Sequence, residues 1–344
     1  MGELFRQGRM EEIWQRYCGF IDLSLQEFME IQRELLMEQI DLLSGSELGK
    51  SLMRGKVPKS VEEFRRTVPL TTYEDYRPIL ARKREEGLPQ RTLHWMRTSG
   101  RSGEYPHKWV PVSEGMDRAW GISPLASVIF SACTRRGDIP LQEGDRFLYT
   151  LAPPPYASGH WSIGLQREFP FRFLPPLHAA EAMSFQDRIE QGFQLALREG
   201  IDLFWGLSSV LVAVGESFSR QARRADLSRL PRHPRSFLRL NRGLLASRLG
   251  KRPLLPKDLW RPKGIVALGM DTSVLRNRVI HYWGRQPLEI YGATELGFVA
   301  TQAWDYDGMT FAPDINFLEF IPEEEHLRSR ADSKHRQDDD RVIS

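Results

Sequence analysis

The stretch SFQDRIEQGFQLALREGIDLFWGLSSVLVAVGESF, residues 184–218, decides the fold class of this chain. Ser184 and Asp187 have the spacing of a helix cap, and Gly200 fits the position just after a last helical turn. We therefore predict a helix between Ser184 and Gly200. Its apolar residues recur at helical spacing and are expected to face inward: Phe185, Ile189, Phe193 and Leu197.

The residues after this helix predict a strand, a turn and another helix. Asp202–Trp205 is short and apolar, Gly206 is predicted to be a turn, and Leu207–Phe218 is predicted to be a helix. Strands that alternate with helices indicate an α/β fold, in which a sheet is flanked by helices. Further short strands are predicted at RFLYTLAP from Arg146, GIVALG near Ile265, PLEIY near Leu288 and NFLEFIP near Phe317.

Local residue composition and patterning divide the chain into three regions. Residues 1–90 predict a helical amino-terminal region packed on the core, with capping-box spacing at Ser60–Glu63 and Thr72–Asp75. Residues 91–322 carry the strands and glycines of an α/β core. Residues 323–344 are charged and almost without apolar side chains, which predicts a disordered tail.

Bulk composition excludes several classes of protein. The 344 residues have a net charge of +3, and the two cysteines, Cys18 and Cys133, do not make a disulfide framework or a zinc site. We find no apolar stretch long enough for a signal peptide or a membrane span, so a cytoplasmic protein without membrane partners is expected. Oligomeric state stays open.

One basic stretch raises nucleic acid as an alternative partner. Residues 220–263 contain fourteen Lys and Arg against the two acids Asp226 and Asp258. However, leucines interleave with the arginines as they do on a solvated helical face, and only Phe237 and Trp260 could stack on bases. Nucleic acid is therefore not expected as a partner.

The first segment that could carry chemistry is TSGRSGEYPHK, residues 98–108. Gly100 and Gly103 permit positive φ and close approach, so the backbone N–H groups could form an anion nest. The segment lacks the spacing of a Walker loop, and a plain surface turn would have a similar composition. It also supplies hydroxyl donors and positive charges: Thr98, Ser99, Ser102, Arg101 and Lys108.

The second segment is YGATE, residues 291–295, directly after the apolar strand PLEI. A strand that runs into a glycine turn places the next side chains at a sheet edge, where α/β proteins bind ligands. Tyr291 could stack on a flat base, Thr294 could bind a phosphate oxygen, and Glu295 could hold Mg²⁺. The alternative for this segment alone is a strand end with an ordinary, satisfied glutamate.

Together the two segments resemble the phosphate loop and the aromatic-Gly-x-Thr-Glu signature of the acyl-adenylate-forming superfamily. Within that superfamily the chain is similar to the auxin- and jasmonate-conjugating acyl acid–amido synthetases and their bacterial relatives, from about Glu27 to Glu325. Supporting stretches are EFMEIQRELLMEQIDLL, KSVEEFRRTVPLTTYEDYRP, KWVP and PDINFLEFIPEEE. The resemblance implies the large amino-terminal domain of these enzymes, with ATP and Mg²⁺ as cofactors.

The resemblance also implies a role for individual residues. A small carboxylic acid would be activated as acyl-AMP and passed to an amine or, in the alternative, to a thiol. The catalytic residues would be Thr294 at the α-phosphate, Glu295 on Mg²⁺, and Lys108. The other implied cofactor contacts are Thr98, Ser99, Gly100, Arg101, Ser102 and Gly103 on the phosphates, Gly269 and Met270 around the adenine, and Tyr291, Gly292 and Ala293 beside the adenine and ribose. The implied acyl pocket is Tyr156, Ser158 and His160.

The sequence departs from the family in several places. Arg101 stands where relatives usually have Thr, and EYPH lengthens the loop before Lys108. An Arg-x-Gly-Asp-type stretch and the mobile carboxy-terminal domain are not found, so we expect only the amino-terminal part, with incomplete activity. A non-catalytic remnant or interaction module of the same fold is the alternative. The identity of the acid and the choice between amine and thiol stay open.

Overall fold

A computed structural model describes residues 1–100, 106–222, 234–269 and 272–328 of the chain. Within these residues, β1 and β2 form an antiparallel pair, and the other strands form a seven-stranded sheet in the order β4-β3-β5-β6-β7-β8-β9. The strand bounds are β1 His94–Arg97, β2 Trp109–Val112, β3 Arg146–Tyr149, β4 Arg172–Leu174, β5 Leu203–Leu207, β6 Gly264–Leu268, β7 Leu288–Ala293, β8 Gly297–Thr301 and β9 Thr310–Phe311.

Helices precede the sheet and connect its strands. The described α-helices are α1 Gly2–Arg6, α2 Met10–Cys18, α3 Leu25–Ser44, α4 Glu47–Leu52, α5 Val61–Thr67, α6 Tyr73–Leu80, α7 Glu114–Ile122, α8 Pro124–Ala132, α9 Ala157–Glu168, α10 Leu177–Ala180, α11 Phe185–Glu199, α12 Ser208–Ala222, α13 Pro234–Leu249, α14 Pro256–Leu259 and α15 Thr272–Trp283. Residues 323–328 are also helical. No helix in the described part of the chain has the length and hydrophobicity needed to cross a membrane.

Strands β4, β3, β5, β6 and β7 are parallel, and β8 and β9 continue the sheet in antiparallel fashion. Alternate side chains of the parallel strands enter two separate hydrophobic clusters, one on each face. Phe147 and Trp205 pack with α2 and α8, whereas Leu148 and Phe204 pack with α11, α12 and α15. This period-two division follows from the pleat, and it explains why the strands read as continuous apolar runs. The α/β class predicted from the sequence is therefore confirmed.

Several predicted elements are confirmed and others are wrong. Ser184 caps α11 by accepting the Asp187 N–H, and Gly200 ends it with φ of +105°. Phe193 and Leu197 pack against the core as predicted, whereas Phe185 is exposed. The fully buried residues of α11 are Arg188, Gly192 and Ala196. Gly192 faces the sheet at close range. A Cβ at this position would lie only 3.0 Å from the Leu148 side chain, so a larger residue would not fit without movement.

Two further sequence predictions are wrong. Gly206 does not form a turn but lies inside β5, where a Cβ would come within 2.0 Å of the Thr150 Oγ1 atom. Glycine is therefore needed at this position because of close packing, and not because the chain turns there. The segment near Phe317 is not a strand. Phe317 instead packs edge-to-face on Phe64 of α5, with ring centroids 6.0 Å apart.

The amino-terminal helices pack on the core through aromatic side chains. Trp14 of α2 is fully buried, with its ring centroid 5.8 Å from that of Phe130 in α8. Capping side chains start α5 and α6 as predicted, since Ser60 accepts the Glu63 N–H and Asp75 accepts the Thr72 N–H. The division at residue 90, and that at residue 322, remain predictions. Residues 329–344 of the predicted tail lie outside the described residues.

The amino ends of the parallel strands, called here the amino edge, are held by ion pairs. Arg146 donates to Asp202 at 2.6 Å, Lys263 to Asp145 at 2.7 Å, and Arg172 to Glu199 at 2.7 Å. Lys263 belongs to the basic stretch at 220–263, of which residues 223–233 lie outside the described part. Other cations of that stretch also serve the fold, because Arg239 donates to the Ala196 carbonyl and Arg252 to Asp258.

Candidate functional site

The described residues of the two segments singled out in the sequence, 98–108 and 291–295, lie at the opposite end of the same strands, called here the carboxyl edge. Helices α12 and α15 begin at this edge, directly after β5 and close after β6. Helix N-termini carry a partial positive charge and unpaired N–H groups, so this edge is suited to an anion. Ser208 donates to the Thr272 hydroxyl at 3.3 Å, and Thr272 donates to the Gly269 carbonyl at 3.1 Å. Gly269 has φ of +120°, which a residue with a Cβ rarely adopts.

The β1–β2 hairpin holds the base of the glycine-rich loop. Thr98 and Lys108 are joined by two hydrogen bonds, from the Thr98 N–H to the Lys108 carbonyl at 3.0 Å and from the Lys108 N–H to the Thr98 hydroxyl at 2.8 Å. Gly100 follows with φ of +72°, and Ser99 is exposed. The loop therefore leaves the hairpin with a fixed base. The predicted site residues Arg101, Ser102, Gly103 and Met270 lie outside the described residues.

An ion pair joins the hairpin to the end of β7. The Lys108 Nζ atom lies 3.5 Å from the Glu295 Oε1 atom, although the two residues are far apart in sequence. The same ammonium lies 5.4 Å from the centroid of the Tyr73 ring. The Lys108 side chain is mostly covered, whereas that of Glu295 is 40% exposed. The fold thus brings the two predicted segments to one place and leaves the carboxylate accessible.

The YGATE segment begins inside the sheet. Tyr291, Gly292 and Ala293 belong to β7, so the expected glycine turn is wrong and the reversal instead starts at Thr294. A Cβ at Gly292 would lie 2.7 Å from the Gly297 carbonyl oxygen and 3.1 Å from Trp161, which explains the glycine by close packing. A register shift between Tyr291 and Gly292 marks a bulge, and such bulges redirect side chains. Tyr291 is 54% exposed.

The predicted acyl-pocket residues lie at the start of α9. The Tyr156 hydroxyl accepts a hydrogen bond from Arg97 at 2.6 Å, and the Ser158 hydroxyl donates to the Ala152 carbonyl at 2.9 Å. His160 stacks on His94 of β1, with ring centroids 3.8 Å apart and planes 2° from parallel. These contacts fix α9 against β1. The predicted contacts with an acyl group remain predictions.

Sequence reasoning missed several residues at this edge. Tyr73 lies in the stretch TTYEDYRP and had no signal of its own in the sequence. Its contact with the Lys108 ammonium, a common kind of cation–aromatic contact, is formed only by the fold. Arg97 directly precedes the loop, and its charge could have drawn attention for that reason. His94 had no motif around it. Its pairing with His160 depends on the hairpin, which brings residues 66 positions apart into contact.

The helix-flanked sheet shares its fold with solved structures of an acyl acid amido synthetase and a 2-hydroxyisobutyryl-CoA ligase. Residues 18–149 match the model of the GH3 family N-terminal domain. These findings confirm the resemblance drawn from the sequence. No curated protein matches the chain at a significant level.

Two solved structures show the shared fold. An acyl acid amido synthetase, AtGH3.15, in complex with 2,4-DB aligns with a TM-score of 0.59 and 15% identity over 86% of this chain. A 2-hydroxyisobutyryl-CoA ligase in the postadenylation state with R3-HIB-AMP aligns with a TM-score of 0.60 and 14% identity over 88% of this chain. The alignments cover 58% and 56% of those two chains, so this chain spans less than two thirds of either.

Proposed function

We propose that this chain binds ATP at the carboxyl edge and activates a carboxylic acid as acyl-AMP. The observation that carries the proposal is the 3.5 Å contact between Lys108 and Glu295, which joins the glycine-rich loop to the end of β7. Helix N-termini at the same edge favour a polyphosphate there. The neighbouring enzymes of this fold, an amido synthetase and a CoA ligase, support the reaction class.

The residues of this edge have different proposed roles, which follow from their chemistry. In this proposal the loop N–H groups and Lys108 neutralise the phosphates, while Tyr291 and Gly269 border the adenine. Attack of a carboxylate on the α-phosphorus brings two anions together, so the main requirement is a positive field in a fixed geometry. The Thr98 hydroxyl accepts the backbone N–H of Lys108 and so fixes the point from which the lysine side chain extends.

A magnesium ion fits the chemistry of this edge. Glu295 offers a partly exposed carboxylate beside the proposed phosphate position, and Mg²⁺ commonly uses one or two carboxylates together with phosphate oxygens. When bound, the ion would screen the charge of the phosphates. Because the Lys108 ammonium pairs with this carboxylate, binding of the ion would require Lys108 to move from Glu295 to the phosphates.

We propose an amine as the acceptor of the acyl group, because the matching family model is GH3 and AtGH3.15 is an amido synthetase. A thiol is the second candidate, since the other neighbour is a CoA ligase. The acid itself is proposed only as a small carboxylic acid. We also propose a cytoplasmic location, as expected from the sequence.

The proposal is tested by titrating the chain with ATP in the presence of Mg²⁺, using calorimetry. Glu295→Ala should weaken binding by about 100-fold or more, equivalent to roughly 2.7 kcal/mol. The matched control is Asp307→Ala, which removes an exposed carboxylate beyond β8 and should leave binding unchanged. Equal affinity in wild type and Glu295→Ala would remove Glu295 from the site.

Acid activation requires a second assay. Isotope exchange between pyrophosphate and ATP, measured with a panel of carboxylates, should depend on the acid and be lost in Glu295→Ala. Exchange that is equal with and without any acid would contradict acyl-AMP formation while leaving ATP binding intact.

A further inference from the structure

A second polar cluster lies at the predicted acyl pocket. It consists of His94 on β1, Asp117 on α7 and His160 on α9, so it shares the β1–β2 hairpin with the glycine-rich loop and His160 with the predicted acyl pocket, but it includes neither Lys108 nor Glu295. The His94 Nε2 atom lies 3.7 Å from the Asp117 Oδ1 atom, and the two imidazole rings are stacked. One nitrogen from each histidine and one carboxylate oxygen all lie within 4.8 Å of one another. The three side chains therefore place donor atoms close to one small volume.

The cluster contains a polar atom that the described protein does not satisfy. The His94 Nε2 atom is covered from solvent and has no hydrogen-bond partner among the described residues, because 3.7 Å to Asp117 is too long. Asp117 is itself 8% exposed. Leaving such an atom unpaired is unfavourable, so a ligand at this position would complete the cluster.

The donor set favours a cation rather than an anion. Imidazole nitrogens and a carboxylate oxygen are the ligand types that transition metals accept, and one such atom from each of the three residues is present here. An anion at this position would instead lie against the Asp117 carboxylate.

The carboxylate of the cluster is held in place from its other side. Arg167 of α9 donates to the Asp117 Oδ2 atom at 2.7 Å, which leaves Oδ1 directed towards His94. Helices α7 and α9 approach closely here, because a Cβ on Gly121 would lie 2.9 Å from the Gly164 Cα atom. A ligand group held by a hydrogen bond from outside the site is a common feature of metal centres.

We propose that His94, His160 and Asp117 bind one divalent transition metal ion, with Zn²⁺ as the best fit. Two imidazole nitrogens and one carboxylate oxygen suit Zn²⁺, which accepts three protein ligands and leaves a position for water. Bonds of about 2.0–2.2 Å would bring the donor atoms to roughly 3.4 Å from one another. Because the rings are parallel, at least one imidazole must rotate to direct its nitrogen at the ion.

The consequence for the fold is a link between three elements that are distant in sequence. The bound ion would join β1 to α7 and α9, close to the hydrogen bond between Arg97 and Tyr156. Neither ATP nor Glu295 takes part in this link. The metal proposal therefore stands or falls separately from the proposed adenylation.

The test uses the untagged full chain, freed of metal with a chelator and titrated with Co²⁺ while the visible absorption is recorded. We expect one equivalent to bind with a saturable ligand-field band that Zn²⁺ displaces. His94→Ala and His160→Ala should each weaken binding at least about tenfold. Zn²⁺ should raise the Tm of wild type but not of either variant.

Two controls keep the result interpretable. His281→Ala removes an exposed histidine and should bind Co²⁺ as wild type does, and Glu295→Ala should also retain the site. Far-UV circular dichroism of each variant without metal checks that it is folded, and His160→Gln serves if His160→Ala is not. Absence of a saturable band in wild type, or an unchanged band in folded His94 and His160 variants, would overturn the proposal.

Discussion

The two edges of the central sheet use charged side chains in opposite ways. At the amino edge, Asp202 accepts hydrogen bonds from the side chain of Arg146 and from its backbone N–H, so the carboxylate is fully used within the protein. At the carboxyl edge, Glu295 meets Lys108 at 3.5 Å and keeps 40% of its side chain exposed. The difference suggests that charges at the amino edge stabilise the fold, whereas those at the carboxyl edge are accessible to a ligand.

The largest expected effect is on stability at the amino edge. Asp202→Asn keeps the shape but removes the charge that faces Arg146, and it should lower the free energy of unfolding by about 2–3 kcal/mol. Urea denaturation measures this change. Glu114→Gln is the matched control, because it breaks an exposed pair with Arg118 and should cost no more than about 0.5 kcal/mol. Equal stability of the two variants would abolish the distinction between the edges.

The next effect is on ligand binding at the carboxyl edge. Lys108→Ala should weaken ATP binding about tenfold, or roughly 1.4 kcal/mol, because it removes one positive charge beside the proposed phosphates. Lys56→Ala removes an exposed lysine elsewhere and should leave the affinity unchanged. A Lys108→Ala variant that unfolds at much lower urea but binds ATP normally would reverse the roles assigned to the two edges.

The smallest expected effect is a pH dependence that belongs to the amino edge. Burial is the largest single influence on the pKa of Asp202 and raises it. The side-chain and backbone hydrogen bonds from Arg146, together with the charges of Arg146 and Lys263, outweigh burial and lower the pKa of Asp202 below its usual value. A lowered folded-state pKa contributes stability that is present above the unfolded pKa, near 4, and is lost as the pH falls through the folded pKa.

Wild type should therefore lose more stability than Asp202→Asn when the pH is lowered from 6 to 3, and urea midpoints at the two pH values measure this difference. If Asp202→Asn shows the same acid sensitivity as wild type, the Arg146 pair does not stabilise the sheet.

Local chemistry explains what the sequence predicted well. The helix starts at Ser60, Thr72 and Ser184 were found because a cap requires particular residues at a fixed spacing. The short apolar strands were found because buried parallel strands read as continuous apolar runs. The fold class followed from their alternation with helices.

Tertiary packing explains what could not be predicted. Gly206 and Gly292 looked like turn residues, yet both lie in strands where a neighbouring group leaves no room for a Cβ. The strand expected near Phe317 gave way to packing of that ring on Phe64. In each case a contact distant in sequence decided between two locally acceptable structures.

The candidate site shows the same division. The two segments were recognised from their composition and order, but their contact through Lys108 and Glu295 is visible only in the structure. The cluster of His94, Asp117 and His160 had no sequence signal beyond His160, because its members come from a hairpin and two helices. The roles given to the site residues remain predictions until ligands are measured.

The most direct test of the central claim is photolabelling of the chain with 8-azido-ATP and Mg²⁺, followed by mass-spectrometric mapping of the modified residues. If the glycine-rich loop and the end of β7 hold the nucleotide between them, the label should fall around Tyr291 or Gly269 and disappear with excess ATP. Label that ATP displaces but that maps only to the amino edge or to α13 would contradict the account.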